Sequence, residues 1–174
     1  MAFGGDVTLA FAIDTTGSMS NEIGSAKTIA QDIVDWPRNK YVDYILSPFN
    51  DPATGPVSYC NSSQKSTFRD LIGKLRVHGG GDCKEMAIEG IQNIFTISIH
   101  SQSPIYVFTD AGAKDASEEN VEMLMIMAEN YQTSINFFLS NAGMYFIVSF
   151  PFLCFIYHLF SLRLLWEQVN NGLS

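Results

Sequence analysis

The apolar run Val7-Thr8-Leu9-Ala10-Phe11-Ala12-Ile13 stops at a carboxylate, Asp14. A short, unbroken run of this kind, β-branched near both ends, describes a strand buried on both faces. A helical pattern follows over 19–35, where Ile23, Ala26, Ala30, Ile33 and Val34 recur at helical spacing. Ser20 is the expected N-cap, and Trp36-Pro37 stops the helix. The same alternation continues. Tyr41 to Phe49 reads as a strand, residues 50–56 as a turn and Val57 to Tyr59 as a short return strand. Residues 65–75 and about 83–98 read as helices, the second on Met86, Ala87, Ile91, Ile94 and Phe95. Ile105 to Thr109 is a strand, Ser117 to Tyr131 a helix with an acidic first turn, and Ile135 to Leu139 a further strand. Strands alternating with helices imply an α/β fold with a doubly wound, mostly parallel sheet and helices on both faces. There is no internal repeat.

The chain has 174 residues, enough for one domain with a substantial core. A net charge of -8 argues against nucleic-acid binding, because phosphates need a positive surface. Three cysteines, Cys60, Cys83 and Cys154, make neither a disulfide framework nor a zinc site; a Cys60–Cys83 bridge stays open, with free thiols the expectation. Asn61-Ser62-Ser63 matches a glycosylation acceptor, which has meaning only in a secreted chain. The N-terminus lacks a basic stretch before its first apolar run, so that run reads as a strand and not as a signal peptide.

In a parallel sheet the site lies beyond the carboxyl ends of the strands. Asp14, with Thr16 and Ser18 spaced two apart after it, leaves the first strand there. Asp110 follows the strand Ile105–Thr109, and Gly79-Gly80-Gly81 carries Asp82 into the same region. Carboxylates and hydroxyls on three converging loops are the donor set a hard divalent cation requires. Plainer roles exist for each: Asp82 as the N-cap of a helix at 83–98, Asp110 as a turn residue before Gly112, Thr16 and Ser18 as hydrogen-bond partners for the start of the first helix. His78 reads as a polar loop residue, and the glycines lack the Lys-Ser/Thr of a phosphate-binding loop.

The set of three loops resembles the von Willebrand factor type A domain and its metal-ion-dependent adhesion site, over about residues 6–140. That family's first loop, Asp-x-Ser/Thr-x-Ser, is matched by Asp14, Thr16 and Ser18, and the Asp of its third loop by Asp110. Its second loop gives a Thr after a Gly pair, where this chain has Asp82. More narrowly, Pro48-Phe49-Asn50-Asp51-Pro52, Gly79-Gly80-Gly81-Asp82-Cys83 and Tyr106-Val107-Phe108-Thr109-Asp110-Ala111 resemble the A domains of the hemicentins. The resemblance implies an extracellular-matrix setting and a fragment or relative of a longer chain. It also implies a protein ligand, of matrix or cell surface, that offers an Asp or Glu carboxylate to the ion.

These readings combine into one divalent cation at Asp14, Thr16, Ser18, Asp82 and Asp110, with Mg²⁺ the first expectation and Ca²⁺ or Mn²⁺ the alternatives. Three carboxylates would raise metal affinity and weaken the ion's pull on a partner carboxylate. An Mg²⁺-dependent phosphatase is the competing enzyme reading, but position 16 is Thr where the Asp-x-Asp-x-Thr pattern puts its acid/base Asp. A degenerate A domain that binds partners without metal is the third. Composition changes after Ser140: 144–162 contains no Asp, Glu, Lys or Arg. Its length nominates a membrane span, although it contains Pro151 and His158. We therefore divide the chain into an A-like domain, 1–140, and an aromatic-rich apolar tail, 141–174. Three readings compete for that tail: a membrane anchor, an aromatic segment packing on the sheet, or sequence foreign to the domain. The last is the expectation, leaving the C-terminal part truncated or replaced and one sheet edge bare.

Overall fold

The computed structural model describes residues 6–52, 54–80, 84–141 and 144–150. Its centre is a six-stranded sheet whose strands lie, edge to edge, as Ser58–Cys60, Val42–Phe49, Val7–Asp14, Pro104–Thr109, Ser134–Asn141 and Met144–Phe150. Strands β1 (Val7–Asp14), β2 (Val42–Phe49), β5 (Pro104–Thr109) and β7 (Ser134–Asn141) run parallel. Strand β3 (Ser58–Cys60) closes one side antiparallel to β2, and β8 (Met144–Phe150) the other antiparallel to β7. A separate ribbon pairs β4 (Lys84–Glu85) with β6 (Gly112–Ala113) in parallel. The mostly parallel, doubly wound sheet is the one the alternating pattern implies.

The two faces of β1 explain the layering. Leu9, Phe11 and Ile13 point into a core shared with Ala26, Ala30 and Val34 of α1 (Ile23–Asp35) and Phe68 and Ile72 of α2 (Lys65–Lys74). Ala10 and Ala12 point to the other side. There they meet a core built by Ile88 and Ile91 of α3 (Ala87–Gln92) and Leu124 and Ala128 of α4 (Glu118–Asn130). Burial of both faces is why the strand reads as a continuous apolar run.

Some boundaries differ from the sequence reading. Gly17–Ser20 is a 3-10 turn, and α1 starts at Ile23 with Glu22, not Ser20, in the cap position. The helix expected over 83–98 is α3 followed by a 3-10 turn, Asn93–Thr96. Its expected first residues are taken by β4, because Lys84 and Glu85 pair with Gly112 and Ala113. The first-turn N–H groups of Ile88 and Glu89 donate to Asp115, at 3.1 and 2.7 Å. Asn61 caps the turn Ser62–Gln64, its carbonyl oxygen accepting from the Ser63 N–H at 3.0 Å.

The bare sheet edge expected beside residue 140 is not found. Residues 144–150 extend the sheet along β7, from Ile135 opposite Phe150 to Asn141 opposite Met144. An aromatic and β-branched run favours a strand, and β7 offers it a free ladder. The remainder of the apolar run, 151–162, lies outside the described residues, as do Asp82, Cys83 and Cys154. Among the described residues no helix is long and apolar enough to cross a membrane.

Candidate functional site

Parallel pairing sets β1 and β5 side by side, and their carboxyl ends deliver Asp14 and Asp110 to one place. Asp14 is fully buried. Its Oδ1 accepts from the Thr16 N–H at 2.9 Å and the Thr16 hydroxyl at 2.6 Å, and its Oδ2 from the Thr109 hydroxyl at 2.8 Å. Thr16 Oγ1 lies 3.0 Å from Ser18 Oγ, which lies 3.0 Å from Asp110 Oδ1. Four of the five expected site residues, Asp14, Thr16, Ser18 and Asp110, therefore form one continuous chain of oxygens. The fifth, Asp82, lies outside the described residues.

This chain is short of hydrogens. Three side-chain oxygen contacts, Asp14–Thr16, Thr16–Ser18 and Ser18–Asp110, are served by the two hydroxyl hydrogens of Thr16 and Ser18. With both carboxylates ionised, one contact has no proton between its oxygens. Converging lone pairs without hydrogens are what a cation satisfies.

The second loop is fastened to the first. Gly17 N–H donates to Gly79 O at 3.1 Å and His78 N–H to Thr15 O at 2.9 Å. Gly79 and Gly80 have φ of +63° and +85°, and a Cβ on Gly80 would lie 3.3 Å from Gly17 N and Thr16 Cβ. Glycine is needed there for both backbone sign and close approach. The Asn50 amide bridges the loops, donating to Thr15 O at 2.9 Å and to His78 O at 2.7 Å.

Glu85 is 1% exposed, and its Oε2 has no hydrogen-bond partner. Burial, together with Asp14, Asp51 and Asp110, pushes its carboxyl up to about 7 against a hydrogen bond with Thr16 that lowers it. The Asp14 carboxyl is also raised, by burial first and by Asp110, while its bonds from Thr16 and Thr109 oppose the shift. Asp51 itself is paired with Lys114. Among the described residues no three His, Cys, Asp or Glu side chains are gathered tightly enough to hold an ion unaided, so any cation here would draw on the hydroxyls as well.

A family model described as von Willebrand factor A domain matches residues 8–145. The chain belongs to the von Willebrand factor A domain family. It is 39% identical over 112 residues to the human von Willebrand factor A domain-containing protein 7, spanning 63% of this chain and 12% of that protein. It is 41% identical over 115 residues to mouse Hemicentin-1, spanning 64% of this chain and 2% of that one. The chain thus corresponds to a small part of the relatives it matches. A solved von Willebrand factor type A structure from Catenulispora acidiphila shares the fold, with a TM-score of 0.55 at 13% identity over 76% of this chain and 32% of that one.

Three residues of this A domain's site escaped the sequence reading. Thr109 was hidden as the last residue of an apolar strand, although a hydroxyl beside Asp110 is a visible signal. Asn50 stands in a stretch that carried the resemblance, but its role as a clamp comes from contacts across the sheet. Glu85 falls within a helix by periodicity, and only the β4–β6 pairing takes it out.

Proposed function

We propose that this A domain is a binding module, not an enzyme, that holds one divalent cation at the carboxyl edge of its sheet and engages a protein ligand there. Domains of this family generally mediate protein–protein interaction, which supports the coarser half of the reading. The observation that carries the finer half is the hydrogen-poor oxygen chain from Asp14 through Thr16 and Ser18 to Asp110. A bound ion would take its oxygen ligands from these residues and would supply a positive centre for a carboxylate. Mg²⁺ is the first candidate, since a site with neutral hydroxyl donors suits an octahedral ion that keeps several waters; Ca²⁺ and Mn²⁺ compete for the same oxygens. Similarity to a hemicentin supports an extracellular, matrix-type setting and a matrix or cell-surface partner with an exposed Asp or Glu.

Calorimetric titration of the full chain with Mg²⁺, Ca²⁺ and Mn²⁺, beside Asp14→Ala and Ser18→Ala, tests this. Saturable binding that weakens at least about tenfold in Ser18→Ala and vanishes in Asp14→Ala is the expected result. A folded wild-type chain that binds none of the three ions would overturn the cation, leaving an A domain that works without metal.

A further inference from the structure

Glu85 has an arrangement that folding alone does not account for. Its carboxylate is buried beside two other buried or paired acids, Asp14 and Asp51, and one oxygen has no partner. An uncompensated carboxylate in such a place opposes folding. The backbone nevertheless holds it there firmly. Glu85 pairs with Ala113 in the β4–β6 ribbon, and the Lys114 N–H donates to Glu85 O at 2.9 Å. That ribbon begins two residues after Asp110, so the segment following the glycines is tied directly to the segment following β5. The side chain lies close enough to Thr16, second of the four residues of the oxygen chain, for that contact to lower its carboxyl against burial.

We propose that Glu85 is a carboxylate ligand of the divalent cation, contributed by the second loop. The proposal rests on the cation reading above. The Glu85 Oε2 has no hydrogen-bond donor to give up, and an ion would draw it toward Asp14 and Asp110, with which it does not form a three-acid cluster beforehand. The ion then meets Asp14 and Asp110 from the strand ends, hydroxyls from Thr16 and Ser18, and Glu85 from the ribbon. Asp14 and Asp110 together match the two charges of a divalent ion, and an ionised Glu85 exceeds them, which tightens the hold on the ion and weakens its pull on a partner's carboxylate. Glu85 thereby sets the balance between holding the ion tightly and leaving it charge with which to attract an outside carboxylate.

The test uses the full chain, Mn²⁺ and three variants, with affinity read from the paramagnetic resonance of free Mn²⁺ and thermal stability read without metal. Glu85→Gln keeps the size and removes the charge; it is expected to weaken Mn²⁺ at least about tenfold while the metal-free melting temperature stays level or rises. Glu85→Asp is expected to retain part of the affinity that Gln loses. If Glu85→Gln binds Mn²⁺ like wild type while Ser18→Ala binds it weakly, the cation stands and Glu85 is not a ligand. The ligand role is overturned equally if Glu85→Gln melts several degrees lower without metal or does not fold, or if Asp and Gln are equally weak. A wild-type chain that takes up no Mn²⁺ sinks both the site and its ligand.

Discussion

At the scale of single residues, the site depends on groups that orient Asp14 as much as on Asp14. Thr109 donates to Asp14 Oδ2 from the neighbouring strand. Thr109→Val keeps the shape and removes that donor, and should weaken cation binding by roughly tenfold or more with the fold intact, measured by the same calorimetry. Gly90 gives a sharper test of packing. In an ordinary helix Gly→Ala gains about 1 kcal/mol. Here a Cβ on Gly90 would meet Phe49 Cβ and Cδ1 at 2.7 Å, and Phe49 is fully buried. Overpacking costs about 1–3 kcal/mol, so Gly90→Ala should be net destabilising in urea unfolding. Asp14 was legible in sequence because a carboxylate directly after a buried apolar run has few other uses. Thr109 and Asn50 were less so, since hydroxyl and amide residues are common in turns and their bonds here join segments that are distant along the chain.

Among elements, α1 and α2 lie on one face of the sheet and are joined at the surface by Asp35, paired with Lys65 at 3.2 Å and with Arg69. Partial burial pushes the Asp35 carboxyl up, but the bonds and charges of Lys65 and Arg69 outweigh it and hold it below its ordinary value. A carboxyl lowered in the folded state stabilises above its unfolded pKa of about 3.9 and loses that contribution as pH falls through the folded value. The groups are about two-fifths exposed, so the pairs contribute only about 0.2–1 kcal/mol. Asp35→Asn should therefore be slightly less stable than wild type at pH 7. The difference should shrink below about pH 4 and in high salt, as followed by urea midpoints across a pH series. The helix over 83–98 was the element least legible in sequence. Met86, Ala87, Ile91 and Ile94 keep helical spacing, but two residues before them exchange helix for the ribbon with Gly112–Ala113. Periodicity reports which face is buried, and a two-residue pairing with a segment almost thirty positions away leaves no trace in it.

For the whole molecule, the mostly parallel sheet and the two helical layers were readable because parallel strands are continuous apolar runs and the helices between them carry a helical period; the strand order was not. Nor was the far side of the sheet. Composition marks 144–150 as unlike the rest, whereas its backbone completes β7. A chain ended at residue 141 should thus be less stable than one ended at 150. It loses a seven-residue ladder worth about 0.5–1.5 kcal/mol per hydrogen bond, and its bared edge should promote association. Chemical unfolding and light scattering of the two chains would show both effects. The hydrogen bonds from Ser18 to Asp110 and from Thr109 to Asp14 span 92 and 95 positions of sequence. No short stretch of this chain can assemble those oxygens, so an ion cannot act as a template for early folding. Calcium-loop proteins that gather their ligands within a dozen residues can be organised by their metal; an ion bound as proposed here could only reward a sheet already built. With the proposed cation bound, chelation should therefore lower the melting temperature by mass action and leave a folded chain behind.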